Sequence, residues 1–385
     1  MSNPSLRAVV LAVAFLPALA VAAPLTLDQA LELAVQRSES ARGARAGASG
    51  AAEAARAAGQ LPDPTLKVGV ENLPVTGPDR WSTTRDFMTM KRIGIGQEWL
   101  SSEKRAARQA AADAMVARES LAVRRAVADV RLQAALAYLD AYYAGETLKL
   151  TTLSEHHLHE ELEAAKGRLS SSAGSGQEVL ALTAARGIAE DDSAEVRQSQ
   201  AVAQVVLARW TGQPGGELTT PQTLAKPSED AFVATSVAVL AAQRDMEVAR
   251  GEVGVASASR NPNWAWEVSY GQRTGYSDMV SVGVSIPLPV ERDQRQDRET
   301  AAKLAMVDKA QADQEEARRV AAAEYRALTS DAQRLTERIE RYRSAVVLPA
   351  GQRTTAALAG YRSNQVSLTT LFEARHMELD RKSVV

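Results

Sequence analysis

The chain has 385 residues and a formal net charge of −2, with acidic and basic side chains interspersed, so it has no basic field and nucleic acid is not an expected partner. Aromatic residues make up only 4% of the chain and cysteine is absent, which excludes disulfides, thiol catalysis, cysteine-type zinc sites and acylation on cysteine. The apolar fraction depends heavily on alanine, a composition typical of long helices that pack through small side chains.

Residues 1–22 are predicted to be a signal peptide. Arg7 precedes an apolar run over 8–19, and small residues of the A-x-A kind at 20–22 provide a cleavage site. No later stretch reaches the roughly 18 consecutive apolar residues that a membrane-spanning helix needs. The mature protein is therefore expected to be exported without a transmembrane helix, while strands that span an outer membrane stay possible.

The first structural repeat is predicted over 23–210. It begins with a single helix of roughly 33 residues, which starts at a capping-box pattern on Thr26 and Gln29 and stops before a turn at Pro62. Alternation of apolar and polar residues then predicts a β-hairpin over 65–98.

A long helical hairpin is predicted to complete this repeat over 101–210. Its first helix contains no proline, and a turn rich in serine and glycine separates it from a second helix that runs back to Trp210. At 1.5 Å per residue the first helix would be on the order of 100 Å long. Ordinary globular domains rarely contain such a helix.

A linker rich in proline and glycine is predicted over 211–227, and the same order of elements then begins again over 228–385. The second repeat is expected to contain a helix, a β-hairpin over 264–286 and a helical hairpin over 291–385. Its last helix is expected to be shorter than the corresponding helix of the first repeat.

Three aromatic residues mark the first strand of the second hairpin. Trp264, Trp266 and Tyr270 share one face with Val268, whereas small and polar residues occupy the other face. Aromatic residues that flank an apolar face are typical of the lipid side of a membrane barrel. A soluble sandwich could show the same alternation, so this strand alone leaves both interpretations open.

One group of residues has the composition of a metal site. His156, His159 and Glu160 lie at helical spacing on the long helix, where imidazole and carboxylate groups could hold a divalent ion. A solvated charged face is the alternative interpretation. The sequence contains no Gly-rich phosphate loop, nucleophile elbow or H-E-x-x-H pattern, so neither an enzyme nor a bound cofactor is predicted.

The order of elements resembles the TolC family of outer membrane efflux channels, over nearly the whole mature chain. Within it, the segments 68–74, 86–90 and 93–98 are similar to the CzcC-like members that work with heavy-metal efflux pumps. The resemblance implies a mainly α fold with a small β-barrel portion, in which a duplicated helix-strand-strand-helix unit forms a homotrimer. Each chain would give four strands to a 12-stranded outer membrane barrel that continues into a periplasmic α-helical barrel.

The resemblance also assigns roles to the tips of the two helical hairpins. Glu373 and Thr370 match the positions of a periplasmic gate, although the family pattern has acidic residues at both. A periplasmic adaptor protein would contact the tips at Leu169, Ser170, Gly176, Val179, Leu180, Tyr361, Ser363, Val366, Leu368 and Leu371.

The expected function is a passive outer membrane channel in a tripartite, RND-type efflux system of a Gram-negative cell, with a membrane-fusion adaptor and an inner-membrane pump as partners and heavy-metal cations as cargo. A drug-efflux or type I secretion channel is the alternative. A periplasmic coiled-coil adaptor or scaffold is a second alternative, but an adaptor is expected to carry a compact strand-rich domain that the pattern does not contain.

Overall fold

The computed structural model describes residues 24–214, 216–222, 225–363 and 365–383. The predicted signal peptide, residues 1–22, lies outside the described residues. In chain order the described elements are α1 (Leu27–Arg37), α2 (Glu39–Ala58), β1 (Thr65–Glu71), β2 (Met90–Trp99), α3 (Ser102–Ser170), α4 (Gly176–Thr211), α5 (Glu229–Thr235), α6 (Val237–Ala258), β3 (Trp264–Gln272), β4 (Met279–Ser285), α7 (Gln296–Tyr342), a π-helical turn (Arg343–Val347), α8 (Leu348–Arg362) and α9 (Leu368–Ser383).

The first helix of each repeat is broken by a serine, and the prediction of one continuous helix there is wrong. Thr26 forms the predicted capping box with Gln29 at the start of α1. Ser38 then has an extended backbone, and its Oγ accepts from the Ala41 amide at 3.1 Å, which starts α2. Ser236 separates α5 from α6 with similar backbone angles, although its side chain forms no cap. A serine side chain competes with the helix for backbone groups and therefore favours such a boundary.

The long helices form two antiparallel hairpins. α3 contains 69 residues, and α4 returns along it for 36 residues. In the second hairpin, Pro349 follows the π-helical turn at the start of α8. Proline has no amide hydrogen and its ring collides with the carbonyl four residues earlier, so a widened turn accommodates it without breaking the helix. Among the described residues, no helix is long and apolar enough to cross a membrane.

A single antiparallel sheet contains the strands of both repeats. Its order is β1-β2-β3-β4, so each hairpin pairs internally and β2 pairs with β3 across the repeats. The register places Ile95 between Leu66 and Val268. Because β1 and β4 are the outer strands, each has one edge that pairs with no strand of the described chain.

Tyr138 attaches the segment before α1 and the linker, at Leu25 and Thr219, to the long hairpin. Its side chain is fully buried on α3, and its Oη lies 2.8 Å from the Leu25 carbonyl oxygen and 2.7 Å from that of Thr219. Leu25 in turn forms a parallel bridge with Leu218. The packing around Tyr138 includes the small side chains of Ala30 and Ala141. Alanine therefore lets α1 approach the long helices closely.

Candidate functional site: the two faces of the sheet and the helical tips

One face of the sheet is a continuous apolar surface. Rows of side chains cross all four strands, such as Leu66, Ile95, Val268 and Val282. Val282 is 73% exposed to solvent in the single chain. Exposed apolar patches that extend across a whole sheet mark contact with lipid or with another protein, because water contact of such a surface is costly.

Aromatic residues lie toward both ends of this apolar face. The Trp264 ring is 5.9 Å from the ring of Trp99 on β2, and both are about two-fifths exposed. Trp266 is half-buried beside them, while Tyr270 lies further along β3 and its hydroxyl donates to the Asp278 carboxylate. Trp99 was not predicted as part of this group, although it shares its parity with Ile95. Aromatic residues at the borders of an apolar face are typical of sheets that contact lipid, and the membrane-facing role of these residues stays a prediction.

The opposite face of the sheet is polar and carries an ion-pair network. Glu267 accepts from Lys67 at 2.5 Å and from Arg92 at 2.6 Å, and Arg92 also pairs with Glu71. These four side chains come from three strands. The network balances two positive against two negative charges, so this face suits contact with water.

Gly94 allows β2 and β3 to approach closely beneath this ion-pair network. A Cβ atom at Gly94 would lie 2.7 Å from Ser269 Cβ and 3.1 Å from the Val268 carbonyl oxygen. Lys67 pairs with Gly94 in the register and reaches Glu267 on β3. Glycine at this position therefore permits both the close approach of Ser269 and the passage of the Lys67 side chain.

The ends of the two helical hairpins pack together into one apolar cluster. We call the end of α3 with the start of α4 the first tip, and the end of α8 with the start of α9 the second tip. Arg168 of the first tip donates to Tyr361 Oη of the second tip and to Glu178, both at 2.6 Å. Beneath it the buried residues are Leu162, Ala165, Leu182, Ala357, Leu371, Phe372 and Ala374.

A buried carboxyl group lies beside this cluster. Glu161 on α3 is almost fully buried, and Arg375 on α9 donates to it at 3.3 Å. Burial raises the pKa of Glu161 to about 7, Arg375 opposes this rise, and the neighbouring Glu160 adds to it. Loss of hydration disfavours the carboxylate, and the single contact with Arg375 at 3.3 Å offsets this cost only in part.

The predicted adaptor contacts divide into exposed and buried residues. Leu180 is 72% exposed and Leu169 is 42% exposed, so both present apolar surface at the first tip. Leu371 is only 3% exposed and belongs to the apolar cluster. Its prediction as a surface contact is wrong, because α9 turns that face toward α3 and α4.

The remaining predicted contacts have local partners or lie on the tip surface. Val179 and Tyr361 pack against the apolar cluster, and Val366 lies over Gly360. Ser170 and Ser363 donate to carbonyl oxygens of their own helices, Gly176 is exposed at the start of α4, and the side chain of Leu368 lies outside the described part. Their role in binding a partner stays a prediction.

The two predicted gate residues lie on α9 in different surroundings. Thr370 Oγ1 lies 3.0 Å from Ser367 Oγ, which also accepts from the Thr370 amide at 3.2 Å. Thr370 therefore belongs to the start of the helix. Glu373 is exposed and lines a groove of about 320 Å³ between α3, α4 and α9, next to His376. Its role in a gate stays a prediction.

The predicted metal ligands do not form a metal centre in this structure. His156 Nε2 lies 3.4 Å from Glu160 Oε1, whereas His159 Nδ1 is 2.9 Å from the guanidinium of Arg186 on α4. In the described part of the chain, no group of three His, Cys, Asp or Glu side chains is placed to hold a metal ion. Helical spacing within α3 could not predict the arginine that α4 brings to His159.

Solved structures share this fold over most of their length. The outer membrane protein VceC from Vibrio cholerae is 20% identical, with a TM-score of 0.73 over 93% of this chain and 90% of that chain. CusC is 15% identical, with a TM-score of 0.74 over 93% and 87%. The MtrE outer membrane channel of Neisseria gonorrhoeae, in its open state, is 16% identical, with a TM-score of 0.63 over 93% and 84%. The chain has the fold of these outer membrane channels.

VceC is an outer membrane protein and MtrE an outer membrane channel, so the predicted resemblance to outer membrane channels is confirmed at the level of the fold. The mostly helical chain with one small antiparallel sheet also agrees with the predicted fold class. No protein-family model matches the sequence, and no curated protein is significantly similar to it.

Proposed function

We propose that the protein is the outer membrane channel of a tripartite, RND-type efflux system in a Gram-negative cell. The observation that carries this proposal is a sheet with one exposed apolar face and one polar, charged face, joined directly to helices on the order of 100 Å long. Such a molecule can place its sheet in a bilayer and its helices in the periplasm. Conduction would be passive, with no catalytic step and no cofactor.

The resemblance to the TolC family implies a homotrimer, and the free strand edges support assembly of several chains. β1 and β4 each leave one edge without a strand partner in the described chain. Unpaired backbone groups are too costly in lipid, and the smallest single-chain barrels need about eight strands. Three copies would join β1 of one chain to β4 of the next and close a 12-stranded barrel. The helices would then form a tunnel below it.

The exposed leucines of the first tip support docking of a periplasmic adaptor. Leu169 and Leu180 present apolar surface at the end that lies farthest from the sheet, as an adaptor contact requires. The adaptor would link the channel to an inner-membrane pump. Export by a signal peptide over 1–22 and attachment to the outer membrane without lipidation complete the proposed localisation.

Heavy-metal cations are the proposed cargo. The support comes from the similarity of the segments 68–74, 86–90 and 93–98 to the CzcC-like group. Drug efflux and type I secretion use channels of the same architecture and are the alternatives. A soluble periplasmic scaffold is disfavoured, because it would leave the apolar face of the sheet in water.

The membrane orientation of the sheet can be tested with two neighbouring residues. Val282 and Ser281 lie in the middle of β4 on the apolar and polar faces, respectively. Val282→Arg should prevent stable insertion, because arginine at the bilayer midplane costs about 2–4 kcal/mol. The matched Ser281→Arg variant should insert normally. Equal amounts of both variants in purified outer membranes would contradict the orientation.

The cargo can be tested in cells that lack the gene. Deletion should lower tolerance to at least one of zinc, cobalt, cadmium and copper, and expression of the intact chain should restore it. If the deletion strain kept full metal tolerance but became sensitive to hydrophobic drugs, the cargo would be drugs rather than metal cations. Loss of a secreted protein instead would favour type I secretion.

A further inference from the structure

A groove of about 670 Å³ lies where the sheet meets the helices. Glu98, Ala265 and Ser285 form one row across β2, β3 and β4 at its upper wall. This row lies on the polar face of the sheet, two positions along β3 from Glu267. The rest of the lining comes from the first turns of α3, the segment 259–264 that leads from α6 into β3, and the residues between β4 and the start of α7. The groove therefore opens on the water-facing side of the sheet.

Four cationic side chains from three segments of the chain line this groove. Lys104 and Arg108 lie one helical turn apart on α3, Arg260 follows α6, and Arg295 directly precedes α7. Among the described lining residues, Glu98 is the only carboxylate. This group could not be predicted from the sequence, because its members are scattered along the chain and only the fold brings them together.

The existing contacts of the groove leave part of this positive charge unbalanced. Lys104 Nζ donates to Asn263 Oδ1 at 2.5 Å, and Asn263 Nδ2 donates to Glu98 at 2.7 Å, so Glu98 reaches Lys104 only through an amide. Arg260 pairs with Asp297 at 2.8 Å. These contacts connect the segments around the groove and occupy the carboxylates of Glu98 and Asp297.

Arg108 and Arg295 have no ion-pair partner within the described residues. Lys104 is 7% exposed, and its pKa is lowered by burial and further by the positive charge of Arg108, while Glu98 opposes the effect. A nearby cation that lowers the pKa of a lysine indicates a locally positive potential. An anion bound in the groove would reduce this positive potential.

We propose that this groove binds an anionic group, a phosphate or carboxylate, of a dissolved solute. Arginine guanidinium groups donate paired hydrogen bonds to such oxygens, and contact with the buried ammonium group of Lys104 would add a further charge-assisted bond. Its position on the water-facing side favours a solute over a lipid. Its place inside the channel rests on the proposed function, whereas the binding of anions does not. A free divalent cation would be repelled, so metal tolerance is an independent property.

Inorganic pyrophosphate is a suitable probe, measured by titration calorimetry on the full chain purified in detergent. The wild-type protein should bind it, more weakly at high salt. The double variant Arg108→Gln/Arg295→Gln should bind at least tenfold more weakly. The charge-matched control Arg318→Gln/Arg334→Gln, on the exposed surface of α7 away from the groove, should bind like the wild type.

Two results would overturn the inference. One is wild-type protein that does not bind pyrophosphate, and the other is equal loss of affinity in the groove variant and the control. Flotation with phosphatidylglycerol vesicles is the second arm of the experiment: lipid binding that depends on Arg108 and Arg295, without pyrophosphate binding, would make the groove a headgroup site instead. The particle size of the same samples reports separately on the proposed channel, since a monomer that binds pyrophosphate contradicts only the channel.

Discussion

Gly94 shows how a single missing side chain determines the packing of two strands. Gly94→Ala should lower the thermal unfolding midpoint of the assembled protein, because the added Cβ would lie 2.7 Å from Ser269 Cβ and force β2 and β3 apart. The matched control is Gly69→Ala on β1, where nothing lies within 4 Å of the new atom. Equal midpoints for the two variants would show that β2 and β3 accommodate the added methyl group at position 94 without strain.

Tyr138 provides a second residue-scale test. Tyr138→Phe should destabilise the protein by about 1–3 kcal/mol, because the partly buried carbonyl oxygens of Leu25 and Thr219 lose the hydroxyl donor of a fully buried side chain. Denaturant unfolding of the detergent-solubilised chain measures this change. Tyr143→Phe removes the same hydroxyl from an exposed position and should have little effect. If Tyr143→Phe cost as much, the buried contacts would not explain the loss.

The sequence predicts the direction of side chains better than their partners. Trp264, Trp266 and Tyr270 share a face because a strand alternates with period two, whatever surrounds it. The partners of His159 and Leu371 depend on which helix packs beside them. Arg186 comes from the neighbouring α4, and helical spacing within α3 contains no information about it.

At the scale of elements, long regular segments were predictable and their interruptions were not. The alanine-rich run of α3 and the alternating strands follow from composition and periodicity. The break at Ser38 is stabilised by one side-chain hydrogen bond to a backbone amide, whereas Ser236 forms no such cap, so a serine alone does not specify a break. The π-helical turn had a visible signal in Pro349, since a proline inside a helical pattern requires a local adjustment.

The docking of α9 on α3 should weaken as pH rises. Glu161 has a pKa raised to about 7 by burial, above its ordinary 4.5. Its contribution to stability is therefore complete below about pH 4.5 and is lost as pH rises through 7, a change on the order of 3 kcal/mol. Hydrogen exchange of the α9 amides, corrected for the intrinsic effect of pH, should show lower protection at pH 8 than at pH 5.

The variant Glu161→Gln should remove this dependence, because it keeps the shape of the side chain without its titration. Glu163→Gln is the control two residues away. The Glu163 carboxylate is exposed and its pKa is lowered by the hydrogen bond from Lys166, so it stays ionised from pH 5 to pH 8 and Glu163→Gln should keep the pH dependence of the wild type. Protection of α9 that changes with pH equally in wild type and Glu161→Gln would assign the effect to another group.

At the scale of the whole molecule, the two repeats combine into one unit at β2 and β3. The duplication was readable from the sequence, because the same order of elements occurs twice. The pairing of β2 with β3 was not, since the strands are separated by more than 160 residues of helix and linker. This pairing creates one four-stranded sheet with an edge at each end, and it is the basis for the proposed trimer.

The most direct test of this account is the mass of the full chain extracted from outer membranes, measured by light scattering in detergent after subtraction of the detergent. The account predicts a particle of three chains, because the free edges of each sheet need partners and the resemblance to the TolC family implies three four-stranded sheets around one barrel. A single chain that is recovered from the periplasm and stays monomeric without detergent would contradict it.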